Sequence, residues 1–286
     1  MRTSRPALLL FLCSLIPTSL CSQSSTQTGT QAQASALLQQ SLAAQTGGAL
    51  VTDVTMAGTV TVTAGTNTQS GTITLVATAA GQSRVTFALP SGTWITTQNY
   101  AANPRTSTTS APSDVTNNPA PEDLLGPHPA WFYPALIIGA GLQANNYVTS
   151  QFGQEMHEGS TTQHVGIWPQ SPVPIYSYQI SGRIPLTMPT PEVPLYFGQQ
   201  DLYLDPSSLY PLALVFRFRG SAAAGTTSAP ASHPMYLPEE VRFANYQMVQ
   251  GRPVALRVQV YVGNMLVDDI QVSSVNFNTG AVIAAN

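Results

Sequence analysis

The chain offers few residues able to do chemistry. The densest group is Glu155-Met156-His157-Glu158, with His164 shortly after it. Neutral imidazole and carboxylate suit zinc and similar ions, but a site needs three or four converging ligands, and this spacing matches no established zinc pattern. The segment reads as a solvated polar loop. His128 and His233, each beside a proline, read the same way. Serine is abundant, yet no Gly-x-Ser-x-Gly elbow and no Ser–His–Asp constellation stands out. Asp268 and Asp269 are adjacent in a strand pattern, where successive side chains face opposite ways, so they cannot act as a carboxylate pair. Arg217 and Arg219 share one strand face and are candidates for an anionic headgroup, with a solvated outer face as the alternative. The sequence thus predicts no catalytic residue, no metal and no cofactor.

Composition narrows the class further. Residues 1–22 read as a secretory signal: Arg2 and Arg5 open it, Ala7 to Ile16 form its apolar stretch, and small residues flank Cys21. That stretch is too short to span a bilayer, and no later one approaches the roughly 20 apolar residues required. Export to the periplasm or cell envelope is expected, with lipid tethering at Cys21 as a minor alternative. Both cysteines, Cys13 and Cys21, fall in this region, so the remainder has no disulfide and no thiol. Charged residues make up 8% of the chain and none is lysine. Nucleic-acid binding and attraction to anionic headgroups both need a basic stripe, which is missing.

These residues must sit on a largely β framework. Residues 23–33 read as a flexible leader and Ala34 to Gln45 as a short helix, with Leu38 and Leu42 one turn apart. Val54, Met56, Val60 and Val62 alternate with threonines. Ile73, Leu75 and Ala77 repeat the pattern, as do Val85, Phe87 and Leu89. A three-strand antiparallel meander follows from that spacing. Residues 99–125, rich in Asn, Pro, Ser and Thr, read as an exposed excursion, and 220–233 as a second one. Between them, Trp131-Phe132-Tyr133-Pro134 leads into the most apolar stretch, which predicts a helix from about Pro134 to Ala144. Further strands are expected at 165–168 and 175–180, with 185–195 as a loop. Leu202–Leu204 and Leu214–Phe218 flank an Asp205-Pro206 turn. A closing hairpin turns at Gly263-Asn264, its phase slipping at Ser273-Ser274, where a β-bulge would bend the strand.

Two segments carry a family resemblance. Leu202 to Pro211 is similar to the strand–Asp-Pro–turn–strand element of the LolA-like periplasmic lipoprotein carriers. Tyr246 through Gly263-Asn264 to Asn278 resembles their closing hairpin. That family's early-strand arginine followed by proline has no counterpart here, since Val85 follows Arg84. The resemblance implies an incomplete β-barrel: a curved antiparallel sheet with a helical lid, spanning 34–286 as one domain and binding an acyl chain in its concave face. The lining would come from Val54, Met56, Ile73, Leu75, Val85, Phe87, Leu256, Val258 and Val260. Trp131, Phe132, Leu136 and Ile137 would form the lid, and Trp94 and Trp168 are further cavity candidates. The partner would be a lipid or an acylated protein. The alternative is an envelope protein with a solid core that binds another protein.

Overall fold

A computed structural model describes residues 31–99, 106–112, 114–119, 129–143, 147–169, 200–219 and 236–283. The first helix, α1 (Gln31–Thr46), buries Ala34, Leu38, Ser41 and Gln45 along one stripe. Ser41 donates to the carbonyl of Leu209 at 2.8 Å, so polar side chains as well as leucine dock it. Gly47 and Gly48 both take positive φ, which ends the helix where the sequence predicted.

Six strands then follow in a meander: β1 (Asp53–Ala64), β2 (Asn67–Thr78), β3 (Gln82–Leu89), β4 (Gly92–Asn99), β5 (Thr106–Ala111) and β6 (Asp114–Pro119). The expected three-strand meander is therefore too short, and the supposed excursion at 99–125 contains a hairpin. Thr106-Ser107-Thr108-Thr109-Ser110 has the β propensity for a strand but no apolar alternation, so a hydrophobic pattern cannot reveal it.

The second helix, α2 (Pro134–Gln143), has proline at its first position and sits close to the predicted bounds. Beyond it come β7 (Tyr147–His157), β8 (Ser160–Pro169), β9 (Gln200–Leu204), β10 (Pro211–Arg219), β11 (Tyr236–Val249), β12 (Arg252–Val262) and β13 (Met265–Phe277). The segment around Glu155 and His157 is thus a strand and turn, not a solvated loop. The strand expected at 175–180 and the loop at 185–195 lie outside the described residues.

All thirteen strands form one sheet, in the order β6-β5-β4-β3-β2-β1-β13-β12-β11-β10-β9-β8-β7. Every pairing is antiparallel, and β6 and β7 are ends rather than partners, so the sheet is an open half-barrel. Its two halves meet where β1 pairs with β13. There the register slips between Ala57 and Gly58, leaving Ser273 as the extra residue of the predicted bulge. A Cβ at Gly58 would lie 2.0 Å from the carbonyl oxygen of Gln271, so the close approach at this bend requires glycine. Asp53 and Asn278 lock the same seam. The Asp53 carboxylate accepts from the Thr279 amide at 2.8 Å, and Asn278 accepts from the Thr52 amide at 2.8 Å. The Gly263-Asn264 turn joins β12 to β13 as expected, both residues at positive φ. No helix among the described residues is long and apolar enough to cross a membrane.

Candidate functional site

Alternation decides which side chains share the concave face. Val54, Met56 and Val60 on β1, Ile73 and Leu75 on β2, and Val85 on β3 all face the core. Val258 and Val260 on β12, Ile270 on β13 and Val241 and Phe243 on β11 continue it. Register joins them in two neighbouring rows: Val85 pairs with Leu75 and Leu75 with Met56, while Val60 pairs with Ile270 and Ile270 with Val258. The structure therefore brings Met56, Ile73, Leu75, Val258 and Val260 into one apolar wall, with Phe87 and Leu256 half-buried against it.

Trp94 behaves differently. It lies opposite Phe87, which lies opposite Ile73, but exposure rises along that row from 1% at Ile73 to 40% at Trp94. Trp94 therefore stands at the rim. The side chain of Trp168, in β8, lies outside the described residues. Arg217 and Arg219 are in register with Val215 and out of phase with Leu214 and Phe216, so their backbone positions belong to the convex side. These positions match the outer-face alternative given for the pair.

Two helices cover part of the wall. Helix α1 packs on α2, β7 and β12, and α2 packs on β7 and β8. Phe132, Leu136, Ile137 and Ile138 are all buried beneath α2, and Trp131 meets Phe132 edge to face at 5.4 Å. Between this helix entry and the wall lies a cavity of about 10 Å³, lined by Gln45, Phe132, Tyr133, Pro134, Phe243, Tyr246 and Pro253 to Ala255. It has room for about one water.

Two carboxyls also face the core side at one end of the wall. Glu239 is in phase with Val241, and Asp268 with Ile270. Burial pushes Asp268 up to about 6, and burial together with the charge of Asp268 pushes Glu239 up to about 8. Asp269, on the opposite face as alternation requires, binds Arg257 at 2.7 Å.

The convex face carries what the sequence reading missed. His157 stacks on Tyr203 at 3.7 Å, and His164 stacks on Tyr203 at 4.5 Å and packs on Phe152 at 4.5 Å. Carboxylates clamp this row of rings: His157 Nε2 lies 3.0 Å from Glu240, and His164 Nε2 lies 2.9 Å from Asp201. His164 Nδ1 is 3.1 Å from Glu155, at an angle too oblique for a hydrogen bond. Arg242 joins Glu240 at 2.7 Å and Glu158 at 3.0 Å, and lies over the Tyr261 ring. Burial opposes the charge on Glu240, but Arg242 and His157 hold its carboxyl below the ordinary range. Burial first, and then the charges of Asp201, Glu155 and Glu240, push the Tyr203 phenol well up. His157 Nε2 and both ring nitrogens of His164 lie against carboxylates on other strands. No group of three or more His, Cys, Asp or Glu among the described residues converges on an ion. The sequence singled out Glu155, His157, Glu158 and His164 but not their partners; Glu158 and Gly159, both at positive φ, make the turn between the two strands.

Comparison with known proteins gives the fold a context. No protein-family model matches the sequence, and no curated protein resembles it at the sequence level. Solved structures do resemble it. One is a domain provisionally described as outer-membrane lipoprotein-sorting, from Vibrio parahaemolyticus, 11% identical with a TM-score of 0.52, covering 88% of this chain and 95% of that one. Another is a DUF1329 family protein from Desulfovibrio piger, 9% identical with a TM-score of 0.52, covering 89% of this chain and 96% of its own. A LolA superfamily protein from Nitrosomonas europaea is 10% identical at a TM-score of 0.48, over 85% of this chain and 92% of that one. With its open antiparallel sheet and its two helices on the concave side, the chain shares the half-barrel fold of the Vibrio parahaemolyticus domain and the Desulfovibrio piger protein.

Proposed function

We propose that this is an exported, non-enzymatic binding protein that takes an acyl chain, free or attached to a lipid or lipoprotein, against its concave wall. The observation that carries the reading is the continuous apolar face from Val85 to Val258, which shares one buried cluster with the apolar residues of α2. Burying an alkyl chain yields about 0.8 kcal/mol per methylene, so such a wall binds without any polar recognition. Met56, Ile73, Leu75, Phe87, Leu256, Val258 and Val260 would line the groove. Trp131, Phe132, Leu136 and Ile137 would lift with α2, and Trp94 would stand at the mouth. The likeness to a lipoprotein-sorting domain supports this reading through the fold. In this account the protein works in the periplasm or cell envelope after removal of residues 1–22.

The close packing between α2 and the wall favours a second reading, an envelope protein with a filled core that binds another protein. The two separate cleanly. Native mass spectrometry of the purified protein, and displacement of a fluorescent fatty acid, should show a lipid adduct and saturable uptake. A protein that carries no adduct and takes up no fatty acid overturns the acyl-binding reading and leaves the filled core.

A further inference from the structure

Asp268 stands in an otherwise apolar row of the concave wall. In register, Val62 pairs with Asp268, Asp268 with Val260, Val260 with Val241, and Val241 with Leu214. Val260, Val241 and Leu214 are buried, and Val62 packs against the same core. Glu239 lies in the next row, between Val262 on β12 and Phe216 on β10. The two carboxyls thus flank β12 on one face of the sheet, and neither has a hydrogen bond or an ion pair among the described residues.

Their neighbours in the chain are treated differently. Asp269 and Glu240 face the convex side, where Asp269 is held by Arg257 and Glu240 by Arg242 and His157. No cation among the described residues answers the concave pair. Arg84, Arg217 and Arg219 occupy convex backbone positions. Arg252 begins β12, over the Phe277 ring, whereas Val260 and Val262 end that strand. Helices α1 and α2 carry no titratable side chain. From β1, β10 and β12 the pair therefore meets only Val62, Phe216, Val260 and Val262, and the only charge that Glu239 feels from the concave side is that of Asp268.

An acyl chain laid on this end of the wall takes water away from both carboxyls. A neutral carboxyl loses little by that, but an ionised one without a partner loses most of its hydration. We infer that Glu239 and Asp268 form a proton-operated switch on the acyl groove: protonated, they complete the apolar wall and the chain is held; ionised, they draw water onto it and the chain is released. This rests on the acyl-binding reading and adds its regulation. Burial, with the charge of Asp268 added at Glu239, places the loss of the two protons between about 6 and about 8. Affinity is therefore highest on the acid side of that window and falls as pH climbs through it.

An uncharged ligand and an uncharged probe isolate the switch, because neither titrates. Displacement of Nile red by methyl dodecanoate is measured at a temperature where circular dichroism shows the protein folded at both ends of the pH range. Native protein should bind the ester about tenfold or more tightly at about pH 5 than at about pH 8.5. The double variant Glu239→Gln, Asp268→Asn should lose this dependence. Each single variant should lose part of it, which keeps the test open if the double variant fails to fold. Native affinity that is level or rises with pH overturns the switch alone, as does a dependence that survives in the variants. Native protein that takes up neither Nile red nor the ester at the acid end overturns the switch and the acyl-binding reading together.

Discussion

The two halves of the sheet are held together by different means. From β1 to β6, neighbours in the chain are neighbours in the sheet, and the strands expose threonine and serine. Charged side chains are scarce there, and Trp94 is left at the rim. From β7 to β13, helices lie on one face. On the other, rings and ion pairs from β7, β8, β9 and β11 tie strands that are distant in sequence. The first half is fastened by its backbone ladder, the second by ladder, lid and side-chain network together. On the acyl-binding reading proposed above, a ligand would enter where the fastening is lightest, between α2 and the first half.

Five measurements break or sharpen that contrast. The largest effect belongs to the seam. Gly58→Ala places a methyl against the Gln271 carbonyl and should cost about 3 kcal/mol or more in chemical denaturation, unless the bend relaxes. A loss below about 1 kcal/mol would mean that the two halves are not rigidly joined. Next comes the lid: Ile138→Ala, at a fully buried position in α2, should cost about 3 kcal/mol. Its fluorescent fatty-acid uptake should quicken if α2 is the moving part.

The third concerns pH. Glu239 and Asp268 have folded-state values raised above the ordinary carboxylate range, to about 8 and about 6. Their neutral forms therefore support the fold below about pH 4, and that support drains away as pH climbs to about 8. Glu239→Gln should flatten this fall and raise stability at pH 8 by on the order of 2 kcal/mol, read by melting temperature across pH. Unchanged pH dependence would show the carboxyl to be solvated.

Smaller effects follow at the two extremes of the comparison. Asp205 accepts from the Ser207 hydroxyl and from the amides of Ser208 and Ser207 at 2.7 and 3.0 Å, and these bonds hold its carboxyl down to about 2. Asp205→Ala should loosen the β9–β10 turn by about 1 kcal/mol in urea unfolding. At the rim, Trp94→Ala should change stability by less than about 0.5 kcal/mol. A larger loss would place Trp94 inside the core and erase the difference between the halves.

How much of this was readable in the chain follows the same division. Where a strand buries one face, alternation announced it: Val54-Met56, Ile73-Leu75, Val85-Phe87 and Leu256 to Val260 all lie on the predicted wall. Even the bulge at Ser273 showed as a phase slip, because a single extra residue flips every later side chain. Strand β5 escaped because threonine and serine fill every position from 106 to 110, and β6 because Asp, Asn and Pro dominate it, so neither sequence has an apolar period to read. The rings of His157, Tyr203 and His164 escaped for another reason. They lie far apart in sequence and meet only through the β8–β9 register, and no spacing along a chain encodes a cross-strand neighbour.

The open order of the sheet has one more consequence. In a closed barrel, strand number and stagger together dictate the radius, so the girth of what fits inside is quantised. Here β6 and β7 never join, and no hydrogen-bond ladder encircles the interior. Its width is set by the curvature of an open sheet, a continuous quantity. Such a molecule grips like a hand rather than a ring, and can gain or lose a strand at its free edge without re-dimensioning the palm.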